Sequence, residues 1–326
     1  MIRRIRARTG RLIRGGLSLG IGDDCALLRP RPAEEFAVTT DLSIAGRHFE
    51  LDMHSPQVVG HRTLARGLSD LAAMGARPVV AFVSLGLPRE LTLKQGQKRA
   101  WVDQFYDGLL ALADAYKSPL AGGDLAESPL TLADIVLVGS VPKDKALLRS
   151  GARVGDALYV TGRLGGAAAG LARLVELTRT RSWGRPSAIP KKMRDLLAAH
   201  LHPLPRIAQG LWLQRKGLAT AAIDLSDGLS TDLSHLCEES GVAAEVDAAA
   251  LPVHPLASLE QALHGGEDYE LLFAAPARAK LRREIAGVPV TRIGRIVRRR
   301  SGGPAVTLRT DQGSVPLAPR GWQHFS

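Results

Sequence analysis

Six short acidic signatures recur along this chain, and each places carboxylates beside glycine, serine or threonine. They are Gly22-Asp23-Asp24, Thr39-Thr40-Asp41, Leu68-Ser69-Asp70, Gly122-Gly123-Asp124, Asp224-Leu225-Ser226-Asp227-Gly228 and Gly265-Gly266-Glu267-Asp268. Most of them follow a short apolar run, which is typical of the point where a strand or helix meets a loop. Strand-like and helix-like stretches alternate in both halves of the chain, and this alternation favours a mixed α/β (α+β) architecture.

So many gathered acids need a compensating positive charge. Two unit charges about 4 Å apart interact by roughly 4 kcal/mol at an effective dielectric of 20. Clustered carboxylates therefore repel one another unless cations lie between them, and Mg²⁺ accepts carboxylates, water and phosphate oxygens as ligands. The alternative is that each Asp merely caps a helix or fixes a turn, which is common for one such motif alone. Six motifs with two glycine pairs favour several Mg²⁺ ions held against phosphates.

Chain length and composition predict a globular protein of two domains. A length of 326 residues exceeds that of the usual single domain. A content of 45% apolar and 23% charged residues is typical of a soluble globular protein with a sizeable apolar core. The stretch Pro142-Lys143-Asp144-Lys145 is the expected join, which gives domains 1–142 and 143–326. The sequence has no apolar run of membrane-spanning length and no signal-type segment, so a cytoplasmic location without membrane contact is expected.

The net charge of +11 raises the possibility of nucleic-acid binding. Aromatic residues make up only 4% of the chain, however, which is too few for the stacking platforms of single-strand binders. Most of the excess Arg is expected on solvated faces, and a nucleic-acid partner is not predicted. Cys25 and Cys237 form no disulfide framework or zinc pattern, and both are expected to be reduced.

Periodicity and punctuation place the main elements. A helix is predicted to open at Ser55-Pro56 and to end at Gly75, because proline suits a first turn and glycine a left-handed terminator. A long amphipathic helix is predicted from about Leu91 to Tyr116, another is predicted to end at Gly241, and 178–192 is predicted to be a loop. Strands are predicted at 36–41, 79–87, 133–141, 157–161, 219–223 and 269–273.

The usual nucleotide-binding loops are missing from the sequence. It contains no Gly-x4-Gly-Lys-Ser/Thr segment and no protein-kinase signature set, and Gly20-Ile-Gly-Asp-Asp-Cys25 lacks the third glycine of a dinucleotide fingerprint. A nucleotide must therefore be held by other means, for which the acidic signatures are the candidates.

The motifs in order closely resemble those of the thiamine-monophosphate kinase family. They are Ile21-Gly-Asp-Asp-Cys-Ala-Leu27, Thr39-Thr-Asp41, Leu68-Ser-Asp-Leu-Ala-Ala-Met-Gly-Ala76, Gly122-Gly-Asp124, Leu148-Arg-Ser-Gly151, Asp224-Leu-Ser-Asp-Gly228 and Gly265-Gly-Glu-Asp-Tyr-Glu-Leu271. The resemblance implies a two-domain PurM-like architecture, as in aminoimidazole-ribotide synthetase, with an N-terminal domain that pairs across a homodimer. It also implies ATP binding without a phosphate loop and Mg²⁺-dependent, direct in-line transfer of phosphate from ATP to thiamine monophosphate.

The same resemblance assigns roles to individual residues. The residues implied to surround several Mg²⁺ ions, in one composite site from both halves, are Asp24, Thr39, Thr40, Asp41, Asp70, Asp124, Asp224 and Asp227. Those implied to contact ATP are Tyr106, Gly123, Asp124, Arg149 and Ser226, with Arg149 also stabilising charge in the transition state. Those implied to contact the thiamine substrate are His48, Glu267 and Trp322.

Two departures and one rival accompany the resemblance. The N-terminus is short and Arg-rich where relatives open with acidic and aromatic residues, and Arg66-Gly67 replaces a more usual apolar–polar pair before Leu68-Ser-Asp70. The rival is another ATP-using member of the superfamily, acting on a ribotide, selenide or maturation substrate. The reactive N-terminal Cys and neighbouring Lys of selenophosphate synthetases do not occur here.

Overall fold

The backbone forms two compact units, each built on its own β-sheet. A computed structural model describes residues 5, 7–8, 16–21, 25–29, 31–94, 96, 99–180 and 190–321. The first unit comprises Met1–Leu71 and Ala76–Asp144, and the second comprises Ala72–Gly75 and Lys145–Ser326. Among the helices so described, none combines the length and apolar character needed to cross a membrane.

As far as it is described, the first unit has a four-stranded sheet, two long helices and a short hairpin. Its elements are β1 (Leu17–Leu19), β2 (Leu27–Leu28), β3 (Glu34–Ile44), α1 (Pro56–Ala73), β4 (Arg77–Leu87), α2 (Trp101–Ala115), β5 (Leu120–Glu127) and β6 (Leu132–Pro142). The sheet order is β3-β6-β4-β5, in which only the β4–β5 pair is parallel. Strand β5 brings Gly122, Gly123 and Asp124 to the edge of the sheet.

Helix α1 packs on the face of the sheet to which Thr39 and Leu137 belong. Added side-chain atoms at Gly67 would collide with Leu137 of β6, which shows how closely the helix approaches the strands. The two helices also touch through glycine, since a Cβ at Gly60 would lie 2.0 Å from the carbonyl oxygen of Phe105. A Cβ at Gly108 would lie 1.8 Å from the carbonyl oxygen of Gln57. These two glycines allow backbone-to-backbone contact between α1 and α2.

Among the residues that the structure describes, those on the opposite face of this sheet cover only part of its area. Leu17 of the β1–β2 hairpin packs with Val80 and Val138, and Phe82 lies against that cluster. Farther out on the edge strand β3, Phe36, Val38 and Leu42 are exposed by 40%, 64% and 44%. We define Phe36, Val38 and Leu42 as the exposed β3 face.

The second unit surrounds an eight-stranded sheet. Its helices are α3 (Gly166–Arg179), α4 (Lys191–Leu201), α5 (Ile207–Lys216), α6 (Leu229–Ser240) and α7 (Leu259–His264). Its strands are β7 (Ala157–Thr161), β8 (Ala221–Asp224), β9 (Ala243–Asp247), β10 (Leu271–Ala275), β11 (Glu284–Ile285), β12 (Val288–Val297), β13 (Val306–Thr310) and β14 (Gly313–Pro316). The order is β14-β13-β9-β12-β7-β10-β8, with β11 beside β12. Strands β7, β8 and β10 supply buried apolar side chains to the core, together with α6.

Most predicted elements are confirmed, with boundary shifts of a few residues. The predicted helix from Leu91 is wrong in its first third: Arg89–Thr92 forms a 3₁₀ turn and α2 begins at Trp101. Leu93 is exposed and Gly96 has a left-handed φ of 61°, so these two residues do not support a helix. The predicted loop 178–192 is shortened by α3 and α4 at its two ends, and 181–189 lies outside the described residues.

Candidate functional site

Strand β3 presents Thr39 and Asp41 to helix α1. The Thr39 hydroxyl donates to Oδ2 of Asp70 at 2.5 Å, so the second and third acidic signatures meet. Asp41 accepts two hydrogen bonds on Oδ1, from Nε of Arg66 at 3.1 Å and Nη2 of Arg66 at 2.7 Å. Both acids are half-buried. This arrangement brings together three of the predicted metal-site residues.

Thr40 lies on the other side of β3, because successive residues of a strand face opposite ways. Its hydroxyl donates to Oδ1 of Asp134 on β6 at 2.9 Å. Asp134 did not emerge as a candidate from the sequence, although an acid between Ala133 and Ile135 in an apolar strand was a usable signal. In the sheet register Asp134 pairs with Ser84, and Ser84 pairs with Asp124 on β5.

The Gly122-Gly123-Asp124 segment keeps its acid at an exposed sheet edge. Asp124 accepts a hydrogen bond from the backbone N–H of Leu125 at 2.8 Å. Gly123 has a φ of 142°, and a Cβ there would lie 1.9 Å from the carbonyl oxygen of Val83. Only glycine fits this position, and its exposed backbone is accessible to a phosphate group.

The second unit holds an acidic loop between β8 and α6. Asp224 ends β8 and is only 3% exposed, whereas Asp227 is half-buried. Asp232 of α6 shapes the loop, since its Oδ2 accepts from the N–H groups of Asp227 at 3.1 Å and Gly228 at 3.0 Å. Burial, together with the charges of Asp224 and Asp227, raises the pKa of Asp232 to about 8, although the two N–H groups oppose the rise. The pattern Asp-x-x-Asp-x4-Asp was the available sequence signal for Asp232.

The Gly265-Gly-Glu-Asp segment is bonded to that acidic loop through the backbone. The N–H of Glu267 donates to the carbonyl oxygen of Ser226 at 2.8 Å, and the N–H of Tyr269 donates to that of Leu225 at 2.9 Å. Glu267 and Tyr269 have left-handed φ values of 67° and 50°. Two non-glycine residues in this region within three positions make a tightly specified turn.

The acids of this turn have separate partners. Asp268 accepts from the N–H groups of Gly165 at 2.6 Å and Ala167 at 3.1 Å, at the start of α3. Burial raises the pKa of Asp268 to about 7, despite the opposing effect of these two N–H groups. Glu270 forms a buried pair with Arg206, with Nε to Oε2 at 2.6 Å. It also accepts from the Thr161 hydroxyl at 2.6 Å.

The Glu267 side chain remains partly accessible to solvent. Its Oε2 lies 3.5 Å from Nδ1 of His200, which is a buried residue of α4. Its side chain is 25% exposed. This carboxylate is therefore partly open to solvent and lies beside a buried imidazole.

The remaining predicted contacts are dispersed. His48 accepts from the N–H of Ile44 at 3.1 Å and lines a small pocket with Phe49, Arg62 and Arg66. Tyr106 is buried in the first unit, and that burial raises the pKa of its hydroxyl. Arg149 is exposed, and its carbonyl oxygen accepts from the Ser240 hydroxyl. Asp24 and Trp322 lie outside the described residues.

The donors in both units are carboxylate and hydroxyl oxygens, which suit a hard cation such as Mg²⁺. No group of three or more His, Cys, Asp or Glu side chains close enough to enclose a metal occurs among the residues that the structure describes. Substrate phosphates and water are the usual further ligands of Mg²⁺.

Comparison with known proteins defines the class. Residues 22–141 match the family model for the N-terminal domain of AIR synthase related proteins, and residues 153–306 match that for the C-terminal domain. The fold and the acidic turns are thus those of an AIR synthase-related protein with PurM-like domains. Within that class the chain belongs to the thiamine-monophosphate kinase family.

Full-length similarity supports this assignment. The thiamine-monophosphate kinase of Escherichia coli K12 is 40% identical over 333 residues, which cover 98% of this chain and 95% of that protein. The crystal structure of thiamine-monophosphate kinase from Stenotrophomonas maltophilia K279a is 38% identical, with a TM-score of 0.80 and coverage of 94% of each chain. A structure described as AaThiL complexed with AMPPCP and TMP is 31% identical, with a TM-score of 0.76 and coverage of 91% and 89%.

Proposed function

We propose that this protein transfers the γ-phosphate of ATP to thiamine monophosphate and releases thiamine diphosphate and ADP. The observation that carries the proposal is full-length similarity to thiamine-monophosphate kinases, including a solved relative bound to AMPPCP and TMP. AMPPCP is an analogue of ATP. A reaction that consumes ATP also fits a cytoplasmic location.

The acceptor makes a general base unnecessary. The nucleophile is an oxygen of a phosphate monoester, whose second pKa is about 6, so it is largely ionised at neutral pH. The protein instead has to bring two anionic phosphate groups together and align them. We therefore propose direct in-line transfer. A phosphorylated residue trapped after incubation with labelled ATP would contradict it.

Several Mg²⁺ ions are proposed as partners of the acidic signatures. The residues that would hold them are Asp24, Thr39, Thr40, Asp41, Asp70, Asp124, Asp224 and Asp227. When bound, Mg²⁺ would neutralise phosphate charge and so lower the electrostatic barrier to transfer. The chain's own contribution is to fix these oxygens: Thr39 holds Asp70, and Asp232 fixes the backbone of Asp227.

The remaining residues are proposed to bind the two substrates. Gly123 would let its backbone approach the ATP phosphates, and Arg149 would place its cationic head against them. The other proposed ATP contacts are Tyr106, Asp124 and Ser226. For thiamine, Glu267 would set its carboxylate near the cationic thiazolium ring, with His48 and Trp322 as further contacts.

The two domains are proposed to divide this work. Domain 1–142 would carry most Mg²⁺ ligands and pair with a second copy, and domain 143–326 would contribute Asp224, Asp227 and Glu267. The exposed β3 face supports pairing, because its three large apolar side chains lie on an edge strand. A homodimer would cover them.

A single assay tests the proposed reaction. Purified protein is incubated with ATP, Mg²⁺ and thiamine monophosphate, and thiamine diphosphate is measured by chromatography. Product that requires all three components is expected. A control with thiamine in place of thiamine monophosphate should give no diphosphate, because it lacks the acceptor phosphate. Absence of product at every Mg²⁺ concentration would refute the proposal.

A further inference from the structure

Arg66 occupies an unusual place for a cation. It stands on α1 within the segment Ala65-Arg66-Gly67 that precedes Leu68-Ser69-Asp70, and its side chain is 15% exposed. Both Nε and Nη2 donate to the same atom, Oδ1 of Asp41, at 3.1 Å and 2.7 Å. These two bonds end on one carboxylate oxygen, whereas a fork arrangement engages both oxygens.

Other charged side chains lie close to this pair. Asp70 lies on the same helix one turn later and contacts Thr39, which is two residues before Asp41 on β3. Arg62 lies one turn earlier and lines the same small pocket as Arg66. The Asp41 side chain is 23% exposed, so water screens the Arg66–Asp41 attraction only in part.

We propose that Arg66 is an internal counter-ion for the proposed magnesium site, which stabilises Asp41 while no cation is bound and weakens the binding of free divalent cations. The inference rests on the proposed function, because Asp41 is one of the residues assigned to Mg²⁺. Arg66 acts through Asp41 and is therefore a positioning residue.

Two opposing effects follow from one fixed positive charge. Without a cation, Arg66 offsets the repulsion between Asp41 and Asp70, which stabilises the metal-free protein. When a free divalent cation approaches Asp41, the same charge repels it. A divalent cation bound to ATP arrives as a complex with a net negative charge. Arg66 therefore opposes the binding of this complex less than that of the free cation.

The test compares the affinity of the full-length protein for Mn²⁺, a spin-active substitute for Mg²⁺, without nucleotide. Free Mn²⁺ is counted by its electron paramagnetic resonance signal. In Arg66→Met the dissociation constant for Mn²⁺ should fall about three- to tenfold, because one nearby positive charge is lost. The melting temperature without metal should fall as well, and added Mg²⁺ should raise it more than in the parent protein.

Matched variants separate charge from geometry. Arg66→Lys keeps the charge and should bind Mn²⁺ within about twofold of the parent. Arg77→Met is the positional control, since Arg77 is paired with Glu34 at the far end of β3, with Nη2 to Oε2 at 3.3 Å. It should leave Mn²⁺ affinity unchanged.

Each outcome decides the proposal. Unchanged or weaker Mn²⁺ binding in Arg66→Met, or an equal change in Arg66→Lys, would overturn the counter-ion role. If Arg66→Met does not fold without metal, restored folding on addition of Mn²⁺ supports the role. If Mn²⁺ does not restore folding and Arg66→Gln binds Mn²⁺ as the parent protein does, the role is overturned. A parent protein that makes no thiamine diphosphate would instead refute the proposed function, whatever the variants bind.

Discussion

Glu267, Asp268 and Glu270 lie within four residues and have three different environments. Asp268 accepts backbone N–H groups at the start of α3, and Glu270 is paired with Arg206 in the core. Glu267 keeps part of its carboxylate accessible beside His200. A strand that leaves a tight turn sends alternate side chains in opposite directions, so one short acidic segment can serve both packing and ligand binding.

The proposed metal ligands give the first prediction at this scale. Asp70→Asn and Asp224→Asn should each lower thiamine diphosphate formation by on the order of 10²–10³-fold, because a neutral amide replaces a charge needed near the phosphates. Near-identical side-chain volume should leave the fold intact, as judged by circular dichroism. Asp114→Asn is the control, since Asp114 is an exposed acid near the end of α2. Full activity in both site variants would show that the ligand assignment is wrong.

Asp268 gives a prediction about pH. Burial raises its pKa from 3.8 to about 7, so the folded protein binds a proton over a range in which the unfolded chain has lost it. The contribution to stability is complete below pH 3.8 and is lost as the pH rises to about 7, with a slope of at most about 1.4 kcal/mol per pH unit.

Urea unfolding at several pH values tests this assignment. The free energy of unfolding of the parent protein should decline relative to that of Asp268→Asn between about pH 4 and pH 7 and then run parallel. Asp247→Asn is a suitable control, because Asp247 is exposed and its carboxylate accepts from the N–H of Ala249. Parallel curves over the whole range would rule out a buried titration at Asp268.

At the scale of elements, the contact between α1 and α2 depends on glycine. A Cβ at Gly108 would overlap the backbone of Gln57, which cannot rotate away as a side chain can. Helix propensity alone predicts that Gly108→Ala is stabilising by about 1 kcal/mol. We expect the opposite, a loss of about 2 kcal/mol or more in urea unfolding, because the helices must separate.

Ala111→Gly is the matched control for that variant. Ala111 is an exposed position of the same helix, so the reverse exchange changes propensity without changing packing. It should cost about 1 kcal/mol. If Gly108→Ala is as stable as the parent protein or more so, the close helix contact does not exist in solution.

Element prediction from sequence succeeds where periodicity is strong and fails where tertiary contacts decide. Strand β7 and the C-terminal glycine of α6 were predicted from local pattern alone. Strand β5 was not, since Leu-Ala-Gly-Gly-Asp has neither alternation nor β-branched residues, and its pairing with β4 determines it. Helix α2 starts late for a similar reason, because Leu93 is exposed and the buried side chains of the helix begin at Val102.

For the whole molecule, motif order along the chain was enough to predict the family and the two-domain α/β architecture. The pairing of Thr39 with Asp70 is consistent with that prediction. The partners Arg66–Asp41 and Thr40–Asp134 were not predictable, because sheet register and helix packing bring together residues 25 and 94 positions apart. Sequence patterns identify which residue types gather, whereas the fold determines which of them neutralise one another.

The exposed β3 face carries the last prediction. Val38 lies at the centre of this face and is 64% exposed. A Glu at this position costs little free energy in a monomer, but its charge would have to be buried in a homodimer that covers the face. Val38→Glu should therefore raise the dimer dissociation constant roughly hundredfold or more, as measured by sedimentation equilibrium. Val154→Glu provides the control, because Val154 is 58% exposed in the second unit. A parent protein that is monomeric at high concentration, or a Val38→Glu variant that dimerises as well as the parent, would refute pairing through this face.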